Sequence, residues 1–329
     1  MINERSTAML LGDSDAMRVL RERITKIGPA RLPVLIEGET GTGKELVAQA
    51  LHLASGRPGR FVAFNVCAIP ESLFESTVFG HVRGAFSGAT HSNDGFLAEA
   101  DGGTAFLDEI ATMEAPAQAK MLRALETGEF RPVGARAERR SSFRVIAASN
   151  ERLSRLVASG RFREDLLQRL SGFVIKLLPL RDRREDIPLL AESFLRSLSL
   201  AGSRLSANAM RVLCRHDWPG NVRELKTVIE RSVVLATTET ISGATVRELL
   251  GDTRELIDRV PASGGFSASH ERRTLIEMLR RHDGDAIATA ETLGVHPSTL
   301  YRQMLRLGIS SRERLAIRNE KRSPKRRSG

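Results

Sequence analysis

PVLIEGETGTGKE, residues 33–45, sets a short apolar, β-prone run directly against a glycine-rich turn and a lysine. Glycines let backbone amides turn toward phosphate oxygens, and a lysine opening the next helix brings a point charge to the β and γ phosphates. Gly38, Glu39, Thr40, Gly41, Thr42, Gly43 and Lys44 therefore read as a phosphate-binding loop. Its last position departs from the pattern. Glu45 stands where a Ser or Thr hydroxyl helps hold magnesium, so the metal must lean on other groups.

Working outward, four more β-rich runs alternate with helical stretches: FVAFNV (61–66), TAFLDEI (104–110), FRVIAAS (143–149) and FVIKLLPL (173–180). Such alternation predicts an α/β unit over residues 1–180, a parallel sheet covered by helices. TAFLDEI is an apolar strand ending in paired carboxylates. Asp108 is expected to hold Mg²⁺, directly or through water, and Glu109 to polarise the attacking water. ATP or another nucleoside triphosphate is then the substrate.

Beyond residue 180 the strands are expected to stop. Residues 181–251 read as a helical subdomain, and 252–268, with VPASGGFSAS at 260–269, as a flexible linker. In HDWPGNVREL (216–225), Asn221 is a plausible N-cap and Arg223 falls in the first turn of the helix that follows.

Residues 269–309 form a small all-α unit in which RRTLIEMLRRH is an amphipathic helix and DAIATAETLG a short one ended by Gly294. The third, in HPSTLYRQMLRLGI, has Pro297 at a first helical position. Leu300, Met304 and Leu307 recur at helical spacing and should face the core. That leaves His296, Ser298, Thr299, Arg302, Gln303 and Arg306 free for the major groove of double-stranded DNA, as in a helix-turn-helix. The tail 310–329 carries eight Lys and Arg against two Glu, a net +6. It reads as a phosphate-backbone clamp that raises affinity without choosing sequence.

The whole chain of 329 residues is 41% hydrophobic and 27% charged, with a net charge of +10, which fits several globular units and a polyanionic partner. Its two cysteines, Cys67 and Cys214, form no Cys-x-x-Cys, which argues against a disulfide framework or a zinc site and for a reducing cytoplasm. The N-terminal segment lacks the build of a signal peptide. Runs such as FVIKLLPL are too short to span a membrane.

HVRGAFSGAT (81–90) hangs Phe86 between two Gly-Ala pairs, where an apolar side chain on a small-residue loop suits contact with a partner. With the nucleotide motifs, GAFSGA resembles the GAFTGA loop of bacterial enhancer-binding proteins, the AAA+ activators of sigma-54 RNA polymerase. The resemblance runs from about Leu11 to Ile309. It implies an AAA+ P-loop parallel sheet with a helical lid subdomain, then a Fis-type helix-turn-helix. It further implies that Gly84, Ala85, Phe86, Ser87, Gly88 and Ala89 contact sigma-54. Ser87 replaces the usual threonine, and Val82-Arg83 the common Glu-Lys.

The same resemblance makes Asn65 the residue that holds Glu109, Ser149-Asn150 the first nucleotide sensor and Arg223 the second. Arg163 and Arg169 then reach a neighbouring subunit's γ-phosphate, which requires a homo-oligomer, most often a hexamer. Trp218 is expected where the lid meets the main domain. About ten residues precede LLGDSDAM, so control is expected in trans from a regulatory protein. Two other readings stay open: a DNA-binding regulator that uses the ring only for assembly, and another AAA+ machine, which has no reason to carry this loop.

Overall fold

Val34–Glu37 (β1) is buried along nearly its whole length, as a strand must be when helices cover both faces of a sheet. In the computed structural model, residues 6–198, 203–236, 238–259 and 268–282 are described, together with 285, 289, 292, 300, 304 and 309. Two compact units divide at Gly251.

In the first unit, α1 (Asp15–Ile27) precedes β1, and α2 (Lys44–Ser55) follows the glycine loop. Then come β2 (Phe61–Asn65), α3 (Glu71–Val78), α4 (Phe96–Glu99), β3 (Thr104–Asp108) and α5 (Ala115–Thr127). A short hairpin, β4 (Glu129–Phe130) with β5 (Arg139–Arg140), leads to β6 (Arg144–Ser149), α6 (Leu153–Ala158), α7 (Glu164–Leu170) and β7 (Phe173–Lys176). Five strands pair in parallel in the order β2-β3-β6-β1-β7. Successive side chains leave a strand on opposite faces, so Leu35 packs with Phe64 and Leu107 on one side while Val34 and Ile36 pack with Phe106 and Ile146 on the other.

The order places β6 between β1 and β3. Consequently the glycine loop after β1, Asn150 after β6 and the Asp108-Glu109 pair after β3 open on one edge of the sheet, where ligands of open parallel sheets bind.

The helical lid comprises α8 (Ile187–Ser197), α9 (Ala207–Arg215), α10 (Asn221–Leu235) and α11 (Gly243–Arg259). Three features correct the sequence reading. A two-residue parallel pair, β8 (Arg204–Leu205) with β9 (Thr240–Ile241), interrupts the helices. Trp218 is fully buried inside the lid's own core with Leu180, Ile187, Leu213 and Leu225, and its indole N–H donates to the Leu213 carbonyl. Finally, α11 runs unbroken through Gly251 to Arg259, so 252–259 is helix where a linker was expected. Val246, Leu249 and Leu250 continue at helical spacing toward Leu256 and Ile257, and one glycine does not break such a pattern.

In the second unit, α12 (Ala268–Arg281) contributes Leu275 and Leu279 to a core shared with Leu300, Met304 and Ile309. Leu300 and Met304 thus face the core as expected. Leu307, Gly294, Pro297 and the DNA-contact set His296, Ser298, Thr299, Arg302, Gln303 and Arg306 lie outside the described residues, as does the 310–329 tail.

Candidate functional site

Lys44 opens α2 with its side chain only 7% exposed, and its Nζ donates to the Gly38 carbonyl at 2.9 Å. Glu109 Oε1 stands 3.8 Å from that Nζ, its side chain 17% exposed. Burial pulls the Lys44 ammonium below the usual lysine range, opposed by the carboxylates of Glu109 and Asp108 and reinforced by Arg223. Burial likewise pushes the Glu109 carboxyl above the usual range, while Lys44, the Asn150 backbone N–H and Arg223 pull it back and Asp108 adds to the rise. Each partner is therefore poorly solvated and incompletely compensated. Such a pair meets the electrostatic requirement of a general base next to a cation that can bind phosphate.

Glu109 is also conformationally unusual. Its φ of 54° lies in the left-handed region, where a side chain is disfavoured. Its N–H donates to Asp108 Oδ1 at 3.0 Å, and Thr112 holds its carbonyl through both N–H and Oγ1. No group of three or more metal-ligating side chains occurs among the described residues. Asp108 still fits Mg²⁺, which takes one or two carboxylates and keeps its remaining sites for water and phosphate.

The rest of the glycine loop divides its contacts. Thr42 Oγ1 donates to the Glu39 carbonyl at 2.7 Å, closing the turn. Gly43, at φ 103°, has open space around it, whereas a Cβ at Gly41, φ 80°, would overlap the Gly220 carbonyl oxygen. Glu45 lies on the exposed face of α2 and accepts from Gln49. The Glu39 carboxylate turns to the lid, where Arg181 grips both its oxygens at 2.6 and 2.8 Å.

Other predicted residues divide between those that converge and those that do not. Asn150 reaches Glu109 through its backbone N–H, and Arg223 lies near enough to act on both Lys44 and Glu109. Asn65 is in register with Asp108 across β2 and β3, but its Oδ1 accepts from Cys67 N–H at 2.9 Å, capping the turn after β2. Among the described residues no hydrogen bond joins it to Glu109, contrary to expectation. Arg163, the residue just before α7, and Arg169, in its last turn, are both exposed; Arg163 pairs with Asp165 and Arg169 donates to the Leu125 carbonyl.

Asn221 is not an N-cap. It is fully buried at φ 55°, the first residue of α10, and its side chain bonds to Leu180 and to the glycine loop. Propensity favours Asn before a helix, but here tertiary partners at Leu180 and Thr40 claim its amide.

Sequence reasoning missed a neighbouring apolar cavity of about 140 Å³, lined among others by Leu10, Leu11, Gly43, Arg183, Leu190 and Val222. Its walls come from distant segments, so no local pattern announces it. Asp186, fully buried, accepts from Ser14 N–H and Oγ and thereby ties the first segment to the lid.

The GAFSGA segment folds as a closed loop. Gly84 N–H donates to the Ala89 carbonyl at 2.8 Å and Ala89 N–H to the Phe86 carbonyl at 3.0 Å. Ala89 is buried, Ser87 and Gly88 are exposed, and Phe86 is 39% exposed with its ring 5.1 Å from that of His81. Behind Phe86 lies a cavity of about 560 Å³ bordered by Val66, Ile69, Met113 and Val133. Among the described residues no helix is long and apolar enough to cross a membrane.

Residues 10–176 match the Sigma-54 interaction domain, 181–257 the AAA+ ATPase lid domain and 268–307 the Fis family of bacterial regulatory proteins. The chain is 40% identical over 313 residues to the transcriptional regulatory protein ZraR of Klebsiella oxytoca, covering 90% of this chain and 68% of ZraR. It is 43% identical over 281 residues to the DNA-binding transcriptional regulator NtrC of Azospirillum brasilense, covering 84% of this chain and 58% of that one. Crystal structures of NtrX from Brucella abortus are similar: in complex with ATP, TM-score 0.67 at 34% identity, and in complex with ADP, 0.66 at 33%, each covering 91% of this chain and 69% of NtrX. With a buried Lys–Glu pair at the strand ends, a helical lid and a C-terminal Fis-type match, the chain belongs to the sigma-54-dependent AAA+ transcriptional regulators.

Proposed function

We propose that this chain is an ATP-driven activator that binds upstream DNA, assembles as a ring and remodels sigma-54 RNA polymerase through its GAFSGA loop. The observation that carries the proposal is Phe86, presented at 39% exposure on a closed small-residue loop of the same unit that holds the Lys44–Glu109 pair. The ATP- and ADP-bound NtrX structures support a nucleotide substrate.

In this reading Lys44 and the loop amides bind the β and γ phosphates. Glu109 orients a water and accepts its proton as the water oxygen attacks the γ-phosphorus. The bond from phosphorus to the β–γ bridging oxygen then breaks, and ADP leaves with inorganic phosphate. Magnesium, held by Asp108 directly or through water, would neutralise charge on the phosphates. Arg163 and Arg169 make their hydrogen bonds away from the Lys44–Glu109 pair, so they suit a neighbouring subunit's site in a homo-oligomer, a hexamer by family resemblance. The C-terminal unit supplies the hold on double-stranded DNA.

The test is capture of purified sigma-54 in the presence of ADP and aluminium fluoride, a mimic of the transferred phosphoryl, comparing the parent chain with Phe86→Ala. Capture that depends on nucleotide and is lost in the variant is expected. No capture by the parent chain, with ATPase activity and DNA binding intact, would replace the proposal with a regulator that keeps the engine without the polymerase contact.

A further inference from the structure

The contacts between the glycine loop and the start of α10 concentrate on one side chain. Asn221 Oδ1 accepts from Leu180 N–H at 2.8 Å, while Nδ2 donates to the Thr40 carbonyl at 3.0 Å and to Glu39 Oε2 at 3.2 Å. The neighbours fix which end is which, since an amide N–H needs an acceptor and a carbonyl needs a donor. Asparagine alone meets the demand: aspartate has no donor to offer, and glutamine tolerates φ 55° less well. Immediately after it, Val222 and Arg223 N–H both donate to the Gly41 carbonyl, at 3.0 and 3.3 Å. Arg181, in the turn that begins the lid, grips Glu39 from the other side.

Three consecutive residues of the loop, Glu39, Thr40 and Gly41, are thus bonded to three consecutive residues of the lid, Asn221, Val222 and Arg223. We propose that Asn221, braced by Glu39 and Arg181, is a positioning residue: it locks the first turn of α10 to the phosphate loop and so sets Arg223 over the Lys44–Glu109 pair. Glu39, assigned from sequence to the nucleotide, acts in this arrangement on the lid. A shift of the loop on taking up phosphate reaches Arg223 through a two-residue path, and lid displacement reaches the loop by the same path. The proposal rests on the ATPase reading above for its kinetic consequence, but not for its structural one.

Two measurements on the full chain test it separately. Amide hydrogen exchange over residues 219–226 is read without nucleotide and with ADP. Val222 and Arg223 are expected to be protected in the parent chain and to exchange faster in Asn221→Asp, with Glu39→Gln intermediate. Single-turnover ATP hydrolysis is then compared in Asn221→Asp, Arg223→Ala and the double variant. Asn221→Asp should slow the chemical step about 10- to 100-fold, the scale of a misplaced reacting group. It should add little in the Arg223→Ala background, because both changes remove the same interaction. Unchanged exchange in Asn221→Asp overturns the clasp whether or not the chain hydrolyses ATP. Fully additive losses overturn the link to Arg223. An inactive parent chain that shows the expected exchange pattern instead counts against the ATPase reading and leaves the clasp supported.

Discussion

Gly41 and Gly43 differ in one respect that makes them a controlled pair. Both have left-handed backbones, φ 80° and 103°, so alanine at either site carries the same kind of conformational penalty, roughly 1–2 kcal/mol. At Gly43 the new Cβ meets nothing within 4 Å. At Gly41 it overlaps the Gly220 carbonyl oxygen and comes to 3.2 Å from Arg223 Cβ, so the start of α10 must withdraw. Withdrawal breaks the two bonds from Val222 and Arg223 N–H to the Gly41 carbonyl, each contributing about 0.5–1.5 kcal/mol. Gly41→Ala should therefore cost about 2–5 kcal/mol against about 1–2 for Gly43→Ala. For a unit of this size, each kcal/mol lowers Tm by about 2–4 °C. The assay is thermal unfolding without nucleotide, followed by the fluorescence of Trp218, the chain's single tryptophan, which sits in the lid core. Equal Tm values for the two variants would refute the direct contact between loop and lid.

Glu109→Gln should lower ATP turnover by about 10²–10⁴-fold, the usual contribution of a general base. The same change should raise Tm at neutral pH. Burial raises the folded-state pKa of Glu109 above 4.5, so its favourable contribution is complete below that pH and is lost as pH rises through the folded value. The Tm advantage of the variant should vanish below about pH 4.5, and a lower Tm at pH 7 would mean that the Lys44 contact outweighs burial. Asp186→Ala removes the buried counter-charge of Arg183, whose Nε has no partner among the described residues, and should cost about 3–5 kcal/mol in urea titration; a loss under 1 would show the site to be solvated. Deleting 310–329 should weaken DNA binding and flatten its salt dependence without changing base preference, measured by titration at several salt concentrations. A changed base preference would contradict the clamp reading.

Much of this arrangement is legible locally because its signals are local. The glycine loop, the apolar strand ending in Asp108-Glu109 and the apolar spacing of Leu300 and Met304 each follow from a dozen contiguous residues or fewer. Strand order does not, since five similar apolar runs carry no record of their neighbours. Only the order β2-β3-β6-β1-β7 explains why the Asn150 backbone faces Glu109. Asn221 misleads for the same reason: its neighbours describe a cap, while its partners at Thr40 and Leu180 lie far away in sequence. Glu39 falls within the phosphate loop on sequence, and nothing adjacent to it in the chain announces that its carboxylate pairs with Arg181. The helix through Gly251 shows a further limit, because a glycine marks a boundary only when the periodic pattern around it also stops.

The backbone of Glu109 carries a last consequence, for anyone who would breed this protein for robustness. A glutamate held at φ 54° and largely withdrawn from water is a poor choice for stability twice over, once in its dihedral and once in its charge. Glycine or asparagine there would relax the first fault, and any neutral side chain the second. A library selected only for resistance to heat should therefore be drawn to position 109 early and emerge with sturdy, catalytically silent descendants. Heat resistance and turnover pull this one residue in opposite directions, so a screen must score both.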